Sequence, residues 1–243
     1  MLKRWEELPE FLRCAEVKPY YDILAKKRFS LALKRVFDVL AASVLLLVLG
    51  LPMIIVAVLI KMDSEGPVLF RQERVTTYGR KFRIHKFRTM VDHAEQRGSS
   101  VTVSGDRRVT KVGGFLRKYR VDEFPQLFDV LAGDMSFVGT RPESPKYVMR
   151  YTNEMRATLL LPAGITSEAS IRYKDEARLL DGAEDVDKVY VEAVLPGKMK
   201  WNLLALWQFS FIGDIQTMFR TVLAVCGKEY GIKQCSTEIE REK

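Results

Sequence analysis

The sequence has little of what builds disulfide frameworks or transition-metal sites. Its three cysteines, Cys14, Cys226 and Cys235, stand far apart with no CxxC pair. An odd, scattered set supports neither a disulfide scaffold nor a zinc centre, and it suits a reducing cytoplasmic setting. The two histidines, His85 and His93, are isolated from each other and from every cysteine, so surface or hydrogen-bonding roles fit them better than metal ligation. No cleavable signal peptide is legible, because the apolar run starts late and carries no small-residue cleavage site. That run, residues 36–60, is the only long apolar segment. Recognition-helix, zinc-spacing and aromatic-basic signatures of nucleic-acid binders are missing too, which leaves charge alone to argue for such a partner.

Core-forming material is ample. With 243 residues, 47% hydrophobic and 29% charged, the chain can bury a real core and is too ordinary in composition to be disordered. One domain with an appendage is expected. The balance of 39 Lys and Arg against 31 Asp and Glu gives +8, which favours anionic partners: nucleic acid, anionic lipid or phosphorylated small molecules.

A straight helix over residues 36–60 would reach about 37 Å, enough to cross a bilayer core of about 30 Å. Pro52 removes a backbone donor and crowds the carbonyl of Val48, so the helix should bend there into two unequal arms. Lys34 and Arg35 precede the run and Lys61, Arg71 and Arg74 follow it, so charge marks no outside end. That pattern suits a re-entrant helix, although a kinked span is the simpler reading of the residues alone. Asp38 can pair with Arg35 or Lys34 near the headgroups.

Beyond Met62 the composition is that of a soluble domain. The runs VLFRQERV and RKFRIHKFRTM, joined by TTYG, read as a hairpin with apolar alternation at Phe82, Ile84 and Phe87. It carries Arg71, Arg74, Lys86 and Arg88, which by themselves could be solvated strand faces. Residues 92–104 read as a loop, and residues 109–119 lead into a short helix. The chain is organised around residues 118–141, KYRVDEFPQLFDVLAGDMSFVGTR. There Asp122 and Glu123 stand side by side after Arg117, Lys118 and Arg120, and Asp134 and Arg141 follow. An Asp shortly before a Pro is commonly only a helix cap. The surrounding charges of both signs suit instead a phosphorylated, metal-bound substrate. Pro125 opens a helix closed by Gly133.

Further on, residues 145–161 are amphipathic enough for a membrane surface or for the core. Residues 176–187 are acidic and read as exposed. Residues 201–225, with Trp207, Phe209 and Phe211, read as a helix that packs or lies at the interface. Residues 236–243 read as a solvated tail.

The segments KRVFDVLAAS, SEGPVLFRQER, KFRTMVDHAE, RVTKVGGFLRK, DEFPQLFDVLAGDMSFVGTRPE and LLPAGIT resemble, in this order, the motifs of the bacterial sugar transferase family, the monotopic polyprenyl-phosphate phosphoglycosyl transferases. The resemblance runs from about residue 34 to 166 and more weakly to about 225. It implies transfer of a sugar phosphate from a UDP-sugar to a polyprenyl phosphate such as undecaprenyl phosphate, with release of UMP, at the cytoplasmic face of the bacterial inner membrane. Such a reaction initiates polysaccharide or glycoconjugate assembly. By the same resemblance Asp122 is the nucleophile that takes the phosphosugar covalently and contacts Mg²⁺, and Glu123 is its partner. Lys86, Arg117 and Arg141 match phosphate-binding positions, and Arg88 and Arg172 are further candidate substrate contacts. Pro52 matches the family's helix-breaking proline, which turns the reading towards re-entry.

The fold expected is α+β and mainly helical: a small cytoplasmic catalytic domain with a β-hairpin, mounted on a re-entrant, Pro-kinked membrane helix and interfacial amphipathic helices. Its expected parts are an extension (1–33), the re-entrant helix (34–61), the catalytic domain (62–228) and a charged tail (229–243). Membrane lipid is an expected partner and nucleic acid is not; a homodimer stays open, as no heptad run points to one. Some positions depart from the family pattern. Arg120-Val121 replaces Ser-Leu before the acidic pair, Thr140 replaces a proline before Arg141, Leu51 replaces a serine, Arg107 a proline, and Ser167 and Thr76 glycines. No catalytic group is lost, which weighs against the alternative of an inactive, membrane-anchored scaffold.

Overall fold

A computed structural model describes residues 2–94, 106–173, 176–179 and 185–225. Helix α1 spans Lys18–Lys26 and α2 spans Arg28–Asp63. The second is built mainly from leucine, valine, isoleucine and alanine with charges toward its ends, so only Pro52 and, more weakly, Gly50 oppose a helix there. Its 36 residues correspond to about 54 Å. Helical structure persists on both sides of Pro52; the proline forfeits one bond without dividing the helix into separate elements. Only 11% of its most apolar 18-residue window is buried, and Leu47, Val48, Leu51 and Ile54 are exposed.

Both ends of α2 are fastened to the rest of the chain. At the start, Arg35 donates to the carbonyls of Val130 (2.6 Å) and Leu131 (3.0 Å), and Lys34 donates to Val138 O (2.8 Å) and pairs with Asp214 (2.6 Å). Asp38, expected to pair with Arg35 or Lys34, instead accepts from the backbone N–H of Phe137 at 3.2 Å. Those cations have other partners, the free carbonyls at the end of a helix for Arg35, and a strand-end carbonyl and the Asp214 carboxylate for Lys34. At the far end, Asp63 accepts from Val112 N at 3.0 Å and Arg88 donates to Ser64 O at 2.7 Å. Between these ends, Leu45, Leu46 and Leu49 pack on a cluster around Phe82, Ile84 and Leu127, while Met53, Val56 and Ala57 pack beside Phe87 and Leu116.

The expected hairpin forms from β1 (Leu69–Val75) and β2 (Lys81–Phe87), antiparallel, with Leu69 opposite Phe87 and Val75 opposite Lys81. Then come α3 (Lys111–Lys118) and α4 (Gln126–Ala132), the latter closed by Gly133 at φ 84°, a left-handed cap that favours glycine. Strands β3 (Met135–Val138) and β4 (Ala163–Thr166) pair in parallel. Their continuation brings Gly139 against Gly164, where a Cβ on Gly164 would meet Gly139 N at 2.2 Å. Thr76 ties hairpin to sheet: its hydroxyl donates to Asp134 O at 2.5 Å and accepts from Ala163 N at 3.2 Å.

Helix α5 (Pro145–Val148) and a 3-10 segment, Met155–Leu160, turn inward, burying Tyr147, Tyr151, Ala157, Leu159 and Leu160. The core therefore takes most of the apolar residues of 145–161, with Met149 left exposed. Short helices α6 (Glu168–Arg172), α7 (Glu176–Leu179) and α8 (Val186–Val189) precede a π-helical segment, Tyr190–Val194. The single helix expected over 201–225 is two, α9 (Leu195–Trp207) and α10 (Phe211–Val225). Helix α9 is buried through Leu195, Met199 and Leu203, whereas α10 leaves Ile212, Phe219 and Val222 exposed. The N-terminal extension is no appendage: Leu8, Leu12, Val17, Tyr20, Tyr21 and Leu24 are buried in one cluster with Tyr147, Leu160, Leu195, Met199 and Leu206. The readings made for the acidic residues 180–184, for most of the 92–104 loop, for Cys226 and Cys235 and for the tail fall outside the described residues.

Candidate active site

The acidic pair sits where two helices meet. Thr110 caps α3, its hydroxyl accepting from Gly113 N at 3.0 Å, and α3 ends at Tyr119. Arg120 then takes a left-handed conformation, φ 57°, and Val121–Glu123 forms a 3-10 turn before Pro125 and α4. A non-glycine residue in that region costs roughly 1–2 kcal/mol. This reversal brings Asp122 and Glu123 inward, and both are buried.

The two carboxylates live in different surroundings. Glu123 Oε1 accepts from Lys86 Nζ at 3.0 Å and from Arg141 Nη2, and Arg120 lies 3.6 Å away. Burial pushes its pKa up, but Arg141 and Lys86 outweigh burial and hold it well below the usual carboxylate range. Asp122 is shifted the other way, raised first by burial and then by the charge of Glu123, against the pull of Lys86, Arg117 and Arg120. Its Oδ1 is buried with no hydrogen-bond partner among the described residues. The cap reading is thus not realised: no side chain caps α4, whose N-cap is Pro125.

Asp122 lines a cavity of about 680 Å³, together with Lys86, Arg117, Gln126 and Arg141. Burial lowers the pKa of Lys86 against the pull of Glu123, and lowers that of Arg117 against the pull of Asp122. Arg88 also lines the cavity, but its guanidinium is engaged with Ser64 O, Ser64 Oγ (3.0 Å) and Glu65 O (2.5 Å), so it fixes the end of α2 at the cavity's edge. Arg172 is not brought to the site; it lies 3.6 Å over the Trp201 ring and donates to Glu168 at 3.1 Å. Asp134 pairs with Arg80 and also stands apart. Thr140, in place of a proline, has its carbonyl accept from Gly164 N at 2.9 Å, extending the pairing with β4. Ser167, in place of a glycine, caps α6 by accepting from Ser170 N at 3.0 Å. His85 is hydrogen-bonded as expected, its Nδ1 2.6 Å from Asp129 Oδ1 and its backbone N–H donating to Oδ2 at 2.9 Å, which ties β2 to α4 beside Lys86.

Sequence reasoning missed Gln126. It is 1% exposed, and neither side-chain amide atom has a partner among the described residues. Its signal was present, since it follows Asp122 by four positions. Among the described residues no three His, Cys, Asp or Glu side chains group as a metal site. The unpartnered oxygens of Asp122 and Gln126 still suit Mg²⁺, which takes one or two protein oxygens and completes its shell with water and substrate phosphate.

Comparison with known proteins gives the family. The bacterial sugar transferase profile matches residues 29–228. A UDP-N-acetylgalactosamine-undecaprenyl-phosphate N-acetylgalactosaminephosphotransferase of Aeromonas hydrophila is 36% identical over 196 residues, covering 79% of this chain and 43% of that protein. A putative undecaprenyl-phosphate N-acetylgalactosaminyl 1-phosphate transferase of Bacillus subtilis is 42% identical over 150 residues, 61% of this chain and 82% of the relative. A UDP-glucose:undecaprenyl-phosphate glucose-1-phosphate transferase of Caulobacter vibrioides is 37% identical over 196 residues, 78% of this chain and 68% of the relative. The chain spans less than half of the Aeromonas protein and most of the Bacillus one. With the profile covering most of its length, the chain belongs to the bacterial sugar transferase family.

Proposed function

We propose that the protein transfers a sugar 1-phosphate from a UDP-sugar to a polyprenyl phosphate at the cytoplasmic face of the bacterial membrane, through a covalent intermediate on Asp122. One observation carries the reading: Asp122, a buried carboxylate with an oxygen left without a partner among the described residues, lines a cavity walled by cations, beside a second carboxylate that the cations already neutralise. The relatives' names supply the substrate kinds.

In the first step an ionised Asp122 oxygen attacks the phosphorus bearing the sugar. The bond from that phosphorus to UMP breaks, and its electron pair leaves with UMP. In the second step a phosphate oxygen of the polyprenyl phosphate attacks the same phosphorus, and the Asp122 carboxylate departs with the electron pair of the acyl phosphate bond. Splitting the transfer lets two bulky substrates use one site in turn. The raised pKa of Asp122 makes its carboxylate more basic, hence a better nucleophile once ionised. Glu123 positions Lys86 and Arg141, whose remaining N–H groups and charge stabilise the phosphoryl oxygens. Bound Mg²⁺, held by Asp122 and Gln126, would neutralise charge on the diphosphate.

Both ends of α2 are held by the same domain and its outer face is apolar, which supports the re-entrant, monotopic reading over a span. The test of the reaction is UMP release by detergent-purified protein given Mg²⁺, undecaprenyl phosphate and a panel of UDP-sugars, beside Asp122→Asn. We expect lipid-dependent release with at least one donor, none in the variant, and a phosphosugar adduct on the wild-type protein by intact mass when lipid is withheld. Release that survives in Asp122→Asn would overturn the covalent step.

A further inference from the structure

The cavity has a second polar wall that the transfer chemistry leaves unused. Immediately after Arg141 and Pro142, the Glu143 carboxylate accepts from Tyr190 Oη at 2.5 Å and Lys198 Nζ at 3.2 Å. Lys198, 5% exposed, also donates to Tyr190 Oη at 2.9 Å and lies 3.1 Å from Glu176. All four side chains line the same cavity as Asp122. Beside them Ser144 also lines it, 9% exposed, with a hydroxyl that has no partner among the described residues. Ser144 is the N-cap residue of α5, a place where a serine hydroxyl ordinarily accepts a backbone N–H, and no such bond forms here. A buried hydroxyl left out of both cap and cluster is an unfilled bonding position on a residue at the cavity wall.

The charge of this wall tells what it can receive. Lys198 is matched by Glu143 and Glu176, and the charge of Arg74 that also reaches Glu143 is matched in turn, so this wall has no excess positive charge to draw phosphate. A neutral polyol is different, because each hydroxyl both donates and accepts. The Tyr190 and Lys198 protons are spent holding the carboxylates, which leaves the remaining carboxylate oxygens as fixed acceptors and the Ser144 hydroxyl as a donor for such a ligand. On the donor substrate the attacked phosphorus carries the sugar on one side and UMP on the other, so one wing of the cavity must be cationic and the other need not be. We propose that Glu143, Ser144, Tyr190 and Lys198 form the sugar-reading wall of the donor site, setting which sugar hydroxyls or N-acetyl group the enzyme accepts. The proposal rests on the UDP-sugar reading above.

Ser144→Ala is the cleanest probe, since it removes a group with no partner to orphan. Wild type, Ser144→Ala and Tyr190→Phe would be assayed with UDP-glucose, UDP-galactose and their N-acetyl counterparts. UMP inhibition and the thermal shift given by each nucleotide sugar would be measured in parallel. We expect an unchanged melting temperature for Ser144→Ala and a fall in kcat/KM of about three- to tenfold for the preferred donor. The ratio between epimeric donors should change, and UMP inhibition should not. Weakened UMP inhibition in step with the donor would place the nucleotide at this wall and overturn the proposal. So would unchanged donor ratios in both variants. A wild type inert with every donor would refute the transfer reaction, while the thermal shifts would still tell whether the wall distinguishes sugars.

Discussion

At Asp122 and Glu123 two neighbouring carboxylates are driven apart in acidity by what surrounds them. Glu123 is anchored by Lys86 and Arg141, so its folded form is stabilised above the unfolded pKa and loses that stabilisation as pH falls through its depressed value. Asp122 runs opposite: with its pKa raised in the fold, ionising it costs stability, and the cost grows as pH rises through the unfolded value towards the folded one. Asp122→Asn should therefore melt at a higher temperature than wild type at neutral pH. The gain should shrink as pH is lowered and both forms become neutral. Thermal melts of the two proteins between pH 4 and about pH 8 check this, and a variant less stable at neutral pH would show that Asp122 is not strained by its charge.

Among the elements, α2 sets the geometry. Arg35 satisfies the terminal carbonyls of α4 and Asp63 a backbone N–H at the start of α3, so the helix holds both elements that carry the acidic pair. Exposed Lys26 and Glu65 lie outside its two ends. Single Lys26→Cys and Glu65→Cys variants, made with the native cysteines replaced, should both react with a membrane-impermeant maleimide in inside-out vesicles and neither in intact spheroplasts. Labelling of the two from opposite faces would mean that α2 spans the bilayer. Its outward residues Leu47, Leu51 and Ile54 suit lipid contact, and the exposed Ile212, Phe219 and Val222 of α10 suit an interfacial position.

For the whole molecule, the N-terminal segment is structural. It closes the largest apolar cluster over α9, and Leu12 and Leu24 are fully buried. Leu12→Ala should cost about 2–5 kcal/mol in a denaturant melt, because the removed methyl groups leave a void among neighbours that relax only in part. A loss below about 0.5 kcal/mol, the size of a surface substitution, would show that the segment merely rests on the domain.

The hairpin, the apolar helix and the α4 helix ending at Gly133 were legible in the sequence because each is marked locally, by alternation, by an unbroken apolar run and by a proline and glycine at fixed places. The motif order fixed the family and pointed to Asp122, Glu123, Lys86, Arg117 and Arg141. Local pattern could not tell that Arg88 spends its fork on the end of α2, that Arg172 stacks on Trp201, or that Asp38 serves Phe137. Each of these pairs residues far apart in the chain, and a charge gives no sign of which distant partner it will meet. The same holds for the burial of residues 2–24 and for the wall of Glu143, Tyr190 and Lys198. Sequence determined which chemistry the chain carries, since residue type sets charge and nucleophilicity. Tertiary structure decided which carboxylate is neutralised and which is left unpartnered, since that depends on which distant cations and backbone groups the fold brings within a few ångströms.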